Sequence, residues 1–279
     1  MNDPDVAAAP ARLHPFDQAL SLRPLGEGRW QGRTHPAYWN MAGPFGGITG
    51  ALMLRAVLDH PERRGRPLAL TVNFCGALAE GAFEIVVRLV RGGRSTQHWS
   101  VEMLDDRGVA TTASVVTAAE RQTWTHAPGV MPRVPSAEQV AAADMTGRPA
   151  WTRAFEMRFV EGLPAWRGRL ETPADGRTVV WVRDAPERPL DYPALASLSD
   201  SFFVKVIQVR GDLPPVATVS LTTYFLADEA EMVAQGTQPV LGVSDVRAFR
   251  HGFNDQIGEL WSAGGQLLAT TTQVVWWKD

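Results

Sequence analysis

The chain has 279 residues, and its 45% hydrophobic content is enough for one large packed domain or two ordinary ones. Its 27 Lys and Arg residues are matched by 30 Asp and Glu residues, so the basic excess of a nucleic-acid-binding protein is missing. The acidic start Met1–Asp5 does not resemble an export signal, no run approaches the roughly 20 apolar residues of a membrane span, and one cysteine allows no internal disulfide, so we expect a cytoplasmic protein.

The first predicted element is a helix over Gly46–His60, a segment that is apolar almost all round. A helix of this kind is buried against a sheet rather than lying on a wet surface. Four segments with alternating or β-rich sequence follow, and each predicts a strand. These segments are Leu68–Phe74, Phe83–Leu89, Gln97–Leu104 and Val109–Thr117. Cys75 directly follows the first of them, and we expect it to be a small buried side chain, since no adjacent base would make it a nucleophile.

Residues 121–150 lose this periodicity and contain several prolines among alanines and polar residues. Such a composition is typical of a connector. We therefore predict an N-terminal domain over residues 1–120, a linker over residues 121–150 and a C-terminal domain over residues 151–279.

The second half returns to the same order of elements. A strand is predicted at Thr178–Arg183 and a helix at Leu195–Val209. Four further strands are then predicted at Val216–Leu226, Pro239–Phe249, Phe253–Ser262 and Gln266–Trp277.

Two pairs of segments indicate that the halves are copies of each other. Gly108–Val116 aligns with Leu267–Val275, and Pro67–Phe74 aligns with Thr218–Phe225. In each half one apolar helix precedes about four strands with no helix between them, which predicts an antiparallel sheet wrapped around that helix. The fold class is therefore α+β, a double hotdog of two such units packed side by side. The alternative interpretation is two unrelated α+β domains.

Four segments carry a resemblance to a known family: Pro44–Gly47, Leu198–Phe202, Val216–Val219 and Leu268–Gln273. On these segments the chain resembles the bacterial acyl-CoA thioesterase II family, whose members are tandem hotdogs. The resemblance implies hydrolysis of an acyl-CoA, with Asp200, Thr218 and Gln273 as the catalytic residues. Leu221-Thr222 and Ala227-Asp228 depart from the family pattern, which puts the specificity for the acyl chain and for CoA in doubt.

The implied trio suits this chemistry, because thioester hydrolysis needs an aligned water, a base and donors for the oxyanion. We expect Asp200 to serve as the base or as an anchor for the water, with its ionised carboxylate stabilised by the beginning of a helix. Thr218 and Gln273 each combine a donor with an acceptor and orient the water. Taken singly, Asp200 is also explained as a helix N-cap, and Thr218 as an ordinary strand residue.

Further residues are predicted to bind the substrate. Gly46 and Gly47 begin the first helix, and their backbone N–H groups form the expected oxyanion site. Arg94 and Ser95 follow Gly92-Gly93, and Arg250 stands beside His251-Gly252 at the matching place in the other half. These three residues are candidates for the phosphates of CoA, although solvated turn residues are the simpler interpretation. The alignment of the halves places Ser114 opposite Gln273 and Pro67 opposite Thr218, which predicts a single working site.

No metal or cofactor is expected, since the six histidines lack metal-ligand spacing and dinucleotide-binding and serine-hydrolase motifs are missing. Two other functions stay open. A hotdog enoyl-CoA hydratase generally pairs an Asp with a His, and no His lies near Asp200 in the sequence. A non-catalytic acyl-CoA or hydrophobic-ligand-binding hotdog is the other alternative, favoured by the altered Leu221-Thr222 segment. Exposed sheet edges and the family resemblance predict a homo-oligomer.

Overall fold

The computed structural model describes residues 13–164 and 168–279. Residues 1–12, which include the start that bears on export, lie outside the described residues. The first half contains α1 (Pro15–Ala19), β1 (Arg23–Gly26), β2 (Arg29–Arg33), α2 (Gly46–Leu58), β3 (Arg66–Phe74), β4 (Ala82–Gly92), β5 (Thr96–Asp105) and β6 (Gly108–Ala118). The second half contains β7 (Phe155–Glu161), β8 (Thr178–Asp184), α3 (Tyr192–Leu198), α4 (Lys205–Arg210), β9 (Val216–Phe225), α5 (Glu229–Gln235), β10 (Val240–Asp245), β11 (Phe249–Arg250), β12 (Phe253–Trp261) and β13 (Leu267–Trp277).

All these strands belong to one 13-stranded sheet. The order across it is β1-β2-β4-β5-β6-β3-β9-β13-β12-β10-β8-β7, and β11 pairs with β12. Every pairing is antiparallel. The order is symmetric about the β3–β9 junction, so each half supplies one helix-covered part of a continuous sheet. This confirms the predicted α+β double hotdog.

A pseudo-twofold axis passes between Thr71 of β3 and Thr222 of β9. These two residues are Cα partners at the junction, and their Oγ1 atoms lie 3.0 Å apart. The axis relates the same residues as the alignment of Pro67–Phe74 with Thr218–Phe225, which is therefore confirmed. It also gives a structural reason for Thr222, one of the two residues of the departure Leu221-Thr222, because its hydroxyl contacts that of Thr71 in the other half.

The predicted alignment of Gly108–Val116 with Leu267–Val275 is wrong by one residue. Ser114 pairs with Thr71, and Thr272 pairs with Thr222. The counterpart of Ser114 is therefore Thr272, and the counterpart of Gln273 is Val115. Because neighbouring strand residues point to opposite faces, a slip of one residue moves a side chain from one face of the sheet to the other. Ser114 accordingly lies exposed on the outer face, whereas Gln273 is buried on the inner face.

The predicted helix of the first half is confirmed as α2. It begins at Gly46 as expected and ends at Leu58, two residues before the predicted end. Only Arg55 on this helix is exposed, because the helix is covered both by the first-half strands and by α3. The residue before it, Phe45, stacks on Trp151 with ring centroids 4.3 Å apart, which fixes the direction in which the helix starts.

The single helix predicted at Leu195–Val209 is wrong. Helix α3 begins earlier, because Asp191 caps it through the N–H of Ala194, and it ends at Leu198. The hydroxyls of Ser199 and Ser201 bond to carbonyls of its last turns and compete with helix continuation. Helix α4 starts only at Lys205. Asp200 therefore lies in the break after α3 and not at the beginning of a helix.

Phe202 occupies this break and packs on the inner face of the second-half sheet. A Cβ on Gly242 would lie 2.8 Å from its Cε1 atom, and a Cβ on Gly258 would lie 3.0 Å from its Cε2 atom. The two glycines thus make room for the phenyl ring, and the ring occupies part of the space that a continuous helix would cover.

The predicted linker, residues 121–150, packs against the rest of the protein. It covers the outer face of the second-half sheet, where Met131, Val134 and Val140 contact a cluster that includes Trp181. The indole N–H of Trp181 donates to the carbonyl of Pro135 at 2.9 Å. The boundaries at residues 120 and 150 stay predictions.

Some elements were not predicted, notably β1, β2, β7 and α5. The departure Ala227-Asp228 has a structural explanation here, because Asp228 caps α5 in a reciprocal box with Glu231. The expectation that Cys75 is buried is wrong, since it is exposed after the end of β3. Across residues 13–164 and 168–279 no helix is long and apolar enough to span a membrane.

Candidate active site

Asp200 lies where the two halves meet. It is 8% exposed, and its Oδ1 atom accepts a hydrogen bond of 2.9 Å from Nε2 of Gln273. The backbone N–H of Gly47 lies near the same carboxylate and lowers its pKa. The carboxylate of the second half is therefore held by its own sheet on one side and by the first half on the other.

Gln273 projects from the inner face of β13 and is 2% exposed. Because Nε2 donates to Asp200, the other end of the amide is an acceptor, and the hydroxyl of Thr218 lies 3.5 Å from Oε1. This last contact is at the outer limit of a hydrogen bond. The structure thus brings Asp200, Gln273 and Thr218 into one chain of polar contacts, as the sequence predicted.

The two glycines at the beginning of α2 border the carboxylate directly. A Cβ on Gly46 would lie 2.6 Å from Oδ2 of Asp200, and a Cβ on Gly47 would lie 2.5 Å from the carbonyl oxygen of Ser197. Only residues without a side chain allow the helix terminus to approach so closely. The helix that stabilises the Asp200 carboxylate is therefore α2 of the first half, and not a helix beginning at Asp200 as expected.

Burial raises the pKa of the Asp200 carboxyl from its usual value to about 7, while the hydrogen bonds from Gln273 and Gly47 oppose that rise. A carboxylate with such a pKa is still available at neutral pH and accepts a proton more readily than an exposed aspartate.

For the hydrolysis that the family resemblance implies, we expect Gly46→Ala to lower kcat by about 10- to 100-fold, because the new methyl group displaces the Asp200 carboxylate. The matched control is Gly50→Ala in the same helix, where the nearest atoms to a new Cβ lie at an ordinary 3.6 Å. That control should keep its activity, and its Tm should stay unchanged or rise, since alanine favours a helix over glycine by about 1 kcal/mol. Steady-state kinetics and thermal melts of both variants check the prediction. Equal activity of the two variants contradicts the close approach.

The other predicted binding residues lie at two different ends of the sheet. Ser95 precedes Thr96, which is joined through Ala118 to Arg66 at the start of β3. Gly46, in contrast, lies beside Phe74 at the end of β3. At about 3.3 Å per residue, these two ends are about 25 Å apart. The structure therefore does not bring Arg94 and Ser95 next to the trio.

Arg250 lies at the same end as the trio. It pairs with Phe253, which pairs with Trp276, next to Val275, the Cα partner of Thr218. Its side chain is exposed. The pseudo-twofold axis relates this corner to the corner of Arg94 and Ser95, which explains why the sequence placed them at matching positions.

Asp200 and Gln273 are buried, whereas Thr218 is half-buried. Two surface clefts of about 370 and 380 Å³ lie elsewhere, one between Pro132 and the outer face near Asp245 and the other beside Arg29 and Asp106. In residues 13–164 and 168–279 no three His, Cys, Asp or Glu side chains are grouped so that they could hold a metal ion.

Sequence reasoning missed one polar residue of this region, Gln256 on β12, which is the Cα partner of Gln273. It is 2% exposed. The sequence could have indicated it, because a strand over Phe253–Trp261 places every second residue on the same face. Asn254, Gln256 and Gly258 share the buried face.

Comparisons with known proteins agree with this architecture. Residues 131–277 match the model of the acyl-CoA thioesterase C-terminal domain, and residues 35–118 match that of the N-terminal domain. A hot dog protein of unknown function from Alicyclobacillus acidocaldarius is 43% identical with a TM-score of 0.90, covering 96% of this chain and 99% of its own. A comparison with curated protein sequences finds no match.

More distant structures share the fold. A putative thioesterase II from Thermobifida fusca has a TM-score of 0.81 at 20% identity, covering 95% of this chain and 97% of its own. An acyl-CoA thioesterase II from Mycobacterium marinum has a TM-score of 0.73 at 18% identity, covering 94% of this chain and 98% of its own.

Proposed function

We propose, from the premise that the chain belongs to the acyl-CoA thioesterase family, that it hydrolyses an acyl-CoA to a free carboxylic acid and CoA. The observation that carries the proposal is the buried Asp200 carboxylate, which is bonded to Gln273 and bordered directly by Gly46 at the beginning of α2. This arrangement joins a base from one half to a helix N-terminus from the other.

In the proposed reaction, Asp200 accepts a proton from water while the water oxygen attacks the thioester carbonyl carbon. Gln273 and Thr218 restrict where that water sits, because their polar ends are fixed relative to the carboxylate. The tetrahedral intermediate then collapses, the C–S bond breaks, and the CoA sulfur takes up the proton held by Asp200. Atoms and charges balance without a cofactor.

The field at the beginning of α2 supports the negative charge that develops on the carbonyl oxygen. Gly46 and Gly47 remain the proposed oxyanion donors, although the Gly47 N–H also faces Asp200. Proton transfer to Asp200 removes the charge that attracts this N–H, so the amide is available as the oxyanion forms.

For the CoA phosphates we propose Arg250, because it is exposed at the end of the sheet nearest the trio. Arg94 and Ser95 occupy the corresponding corner of the other half. Arg94 and Ser95 would contact a thioester bound at the trio only if its CoA extended to the opposite end of the sheet. Arg250 is therefore the stronger candidate. The homo-oligomer and the cytoplasmic location stay predictions.

One experiment separates the proposed hydrolysis from the two alternatives. Purified protein is incubated with saturated acyl-CoAs of increasing length and with an enoyl-CoA, and thiol release and loss of the double bond are followed together. Thiol release supports the proposal. Water addition without thiol release supports a hydratase, and saturable binding with neither reaction supports a binding protein.

A further inference from the structure

Gln256 is a buried amide that has no hydrogen-bond partner. Its residue is 2% exposed, and within the described part of the chain neither Nε2 nor Oε1 has a partner. Buried amides are nearly always bonded, since an unpaired one loses its hydration without compensation. A group kept at such a cost calls for a ligand that supplies the missing bond.

Its position is next to the catalytic amide. Gln256 and Gln273 are direct Cα partners on neighbouring strands, and both are buried on the inner face. Side chains at such positions have Cβ atoms about 4.5–5.5 Å apart. Because Gln273 reaches the Asp200 carboxylate, the amide of Gln256 is within reach of a group bound beside that carboxylate.

The first half offers an internal comparison. Ser100 pairs with Ser114, and Ile257 pairs with Thr272, so the axis relates Gln256 to Trp99. Trp99 is also buried, yet its indole N–H bonds to Thr117. The counterpart of Gln273 is likewise apolar, Val115. The pair of buried glutamines therefore occurs in the half that holds Asp200 and is replaced by core residues in the other.

The neighbouring row of the inner face shows the same contrast. Thr223 and Thr271 have hydroxyls without a partner in the described residues, whereas their counterparts, Val72 and Ala113, are apolar. At these positions the polar character thus occurs in the half that holds Asp200, whereas the first half fills the same positions with apolar side chains.

We propose that Gln256 is a further catalytic residue, whose carboxamide N–H donates to the thioester carbonyl oxygen. The inference rests on the proposed hydrolysis. Both ends of the Gln273 amide are engaged, whereas the Gln256 amide has no partner among the described residues, so its N–H adds a donor to those of Gly46 and Gly47. As the water oxygen bonds to the carbonyl carbon, the π electrons move to the carbonyl oxygen and this N–H stabilises the charge. The hydrogen bond from Gln256 to the oxyanion lasts until the tetrahedral intermediate collapses and the C–S bond breaks.

Gln256→Met tests the role, because methionine keeps the size of the side chain and removes its polar atoms. We expect kcat for thiol release to fall by about 10- to 1,000-fold, as for the loss of an oxyanion donor. Tm stays unchanged or rises, since an unpaired buried amide is removed. Gln256→Glu is expected to lose at least as much activity, because a carboxylate repels the oxyanion.

The matched control is Gln97→Met on β5, the strand related to β12. Gln97 is buried too, but its amide bonds to the Arg64 N–H and the Glu62 carbonyl. This variant should lose Tm and keep kcat within about threefold of the wild type. The opposite responses of the two variants distinguish a catalytic amide from a structural one.

The inference is overturned if wild-type protein releases thiol and Gln256→Met or Gln256→Glu does so at the same kcat. It is also overturned if Gln256→Met loses activity only together with Tm, as a structural amide would. Neither outcome touches the proposed hydrolysis, which fails separately if the wild type itself releases no thiol from any acyl-CoA.

Discussion

Asp200→Asn will lower the kcat of thiol release by about 100- to 10,000-fold, as expected for the loss of a general base. Asparagine has the shape of the carboxylate but does not accept a proton from water. The amide also carries no charge for the N–H groups of Gly47 and Gln273 to stabilise. The fold should be preserved, because burying a neutral amide costs less than burying a charged carboxylate.

The control for this variant is Asp184→Asn. Asp184 is buried as well, and burial raises its pKa to about 7. The charges that act on it are those of Arg188, Asp191 and Asp17, at the end of β8, rather than the polar groups of the trio. Asp184→Asn should therefore keep the wild-type kcat. If both variants lose activity equally, burial of carboxylates in general and not the Asp200 site accounts for the effect.

Gln273→Ala will lower kcat by about 10- to 1,000-fold. The substitution removes the N–H that holds the Asp200 carboxylate and the acceptor that faces Thr218. Because the bond from Gln273 lowers the pKa of Asp200, its removal raises that pKa above about 7. The acid limb of the pH–rate profile must then move to higher pH, a shift that a general loss of stability does not produce.

Gln235→Ala provides the comparison. Gln235 is a buried glutamine whose amide bonds to the carbonyls of Gln238 and Pro239 and to the N–H of Ala263. We expect this variant to be less stable than Gln273→Ala and to keep the wild-type pH profile. A Gln273→Ala protein with normal kcat shows that the amide does not position the water.

Periodicity was sufficient to predict the elements that carry the site. Alternation predicted β3, β6, β9 and β13 nearly residue by residue, because each has one buried and one wetter face. Helix α2 was predicted because its buried environment leaves an almost wholly apolar sequence. The trio was found through family resemblance, which fixes residue types and spacing but not contacts.

What periodicity missed depends on tertiary structure. The break between α3 and α4 follows from two serines bonding to their own helix and from Phe202 packing over Gly242 and Gly258. The one-residue register error arose because the sequences of β6 and β13 are most similar when they are shifted by one residue. The correct register is seen only from the pairing of Ser114 with Thr71 and of Thr272 with Thr222. The role of α2 toward Asp200 required the two halves to be seen together.

The pH dependence of kcat/KM for thiol release measures the proposed base most directly. A base must be ionised to act, and burial raises the pKa of Asp200 to about 7, so the rate should fall about tenfold per unit as the pH drops below about 7 and level off above it. Asp184→Asn should show the same inflection, which assigns it to Asp200. An inflection near the pH of an ordinary exposed aspartate, or a rate that stays level from pH 7 to pH 5, contradicts a buried carboxylate as the base.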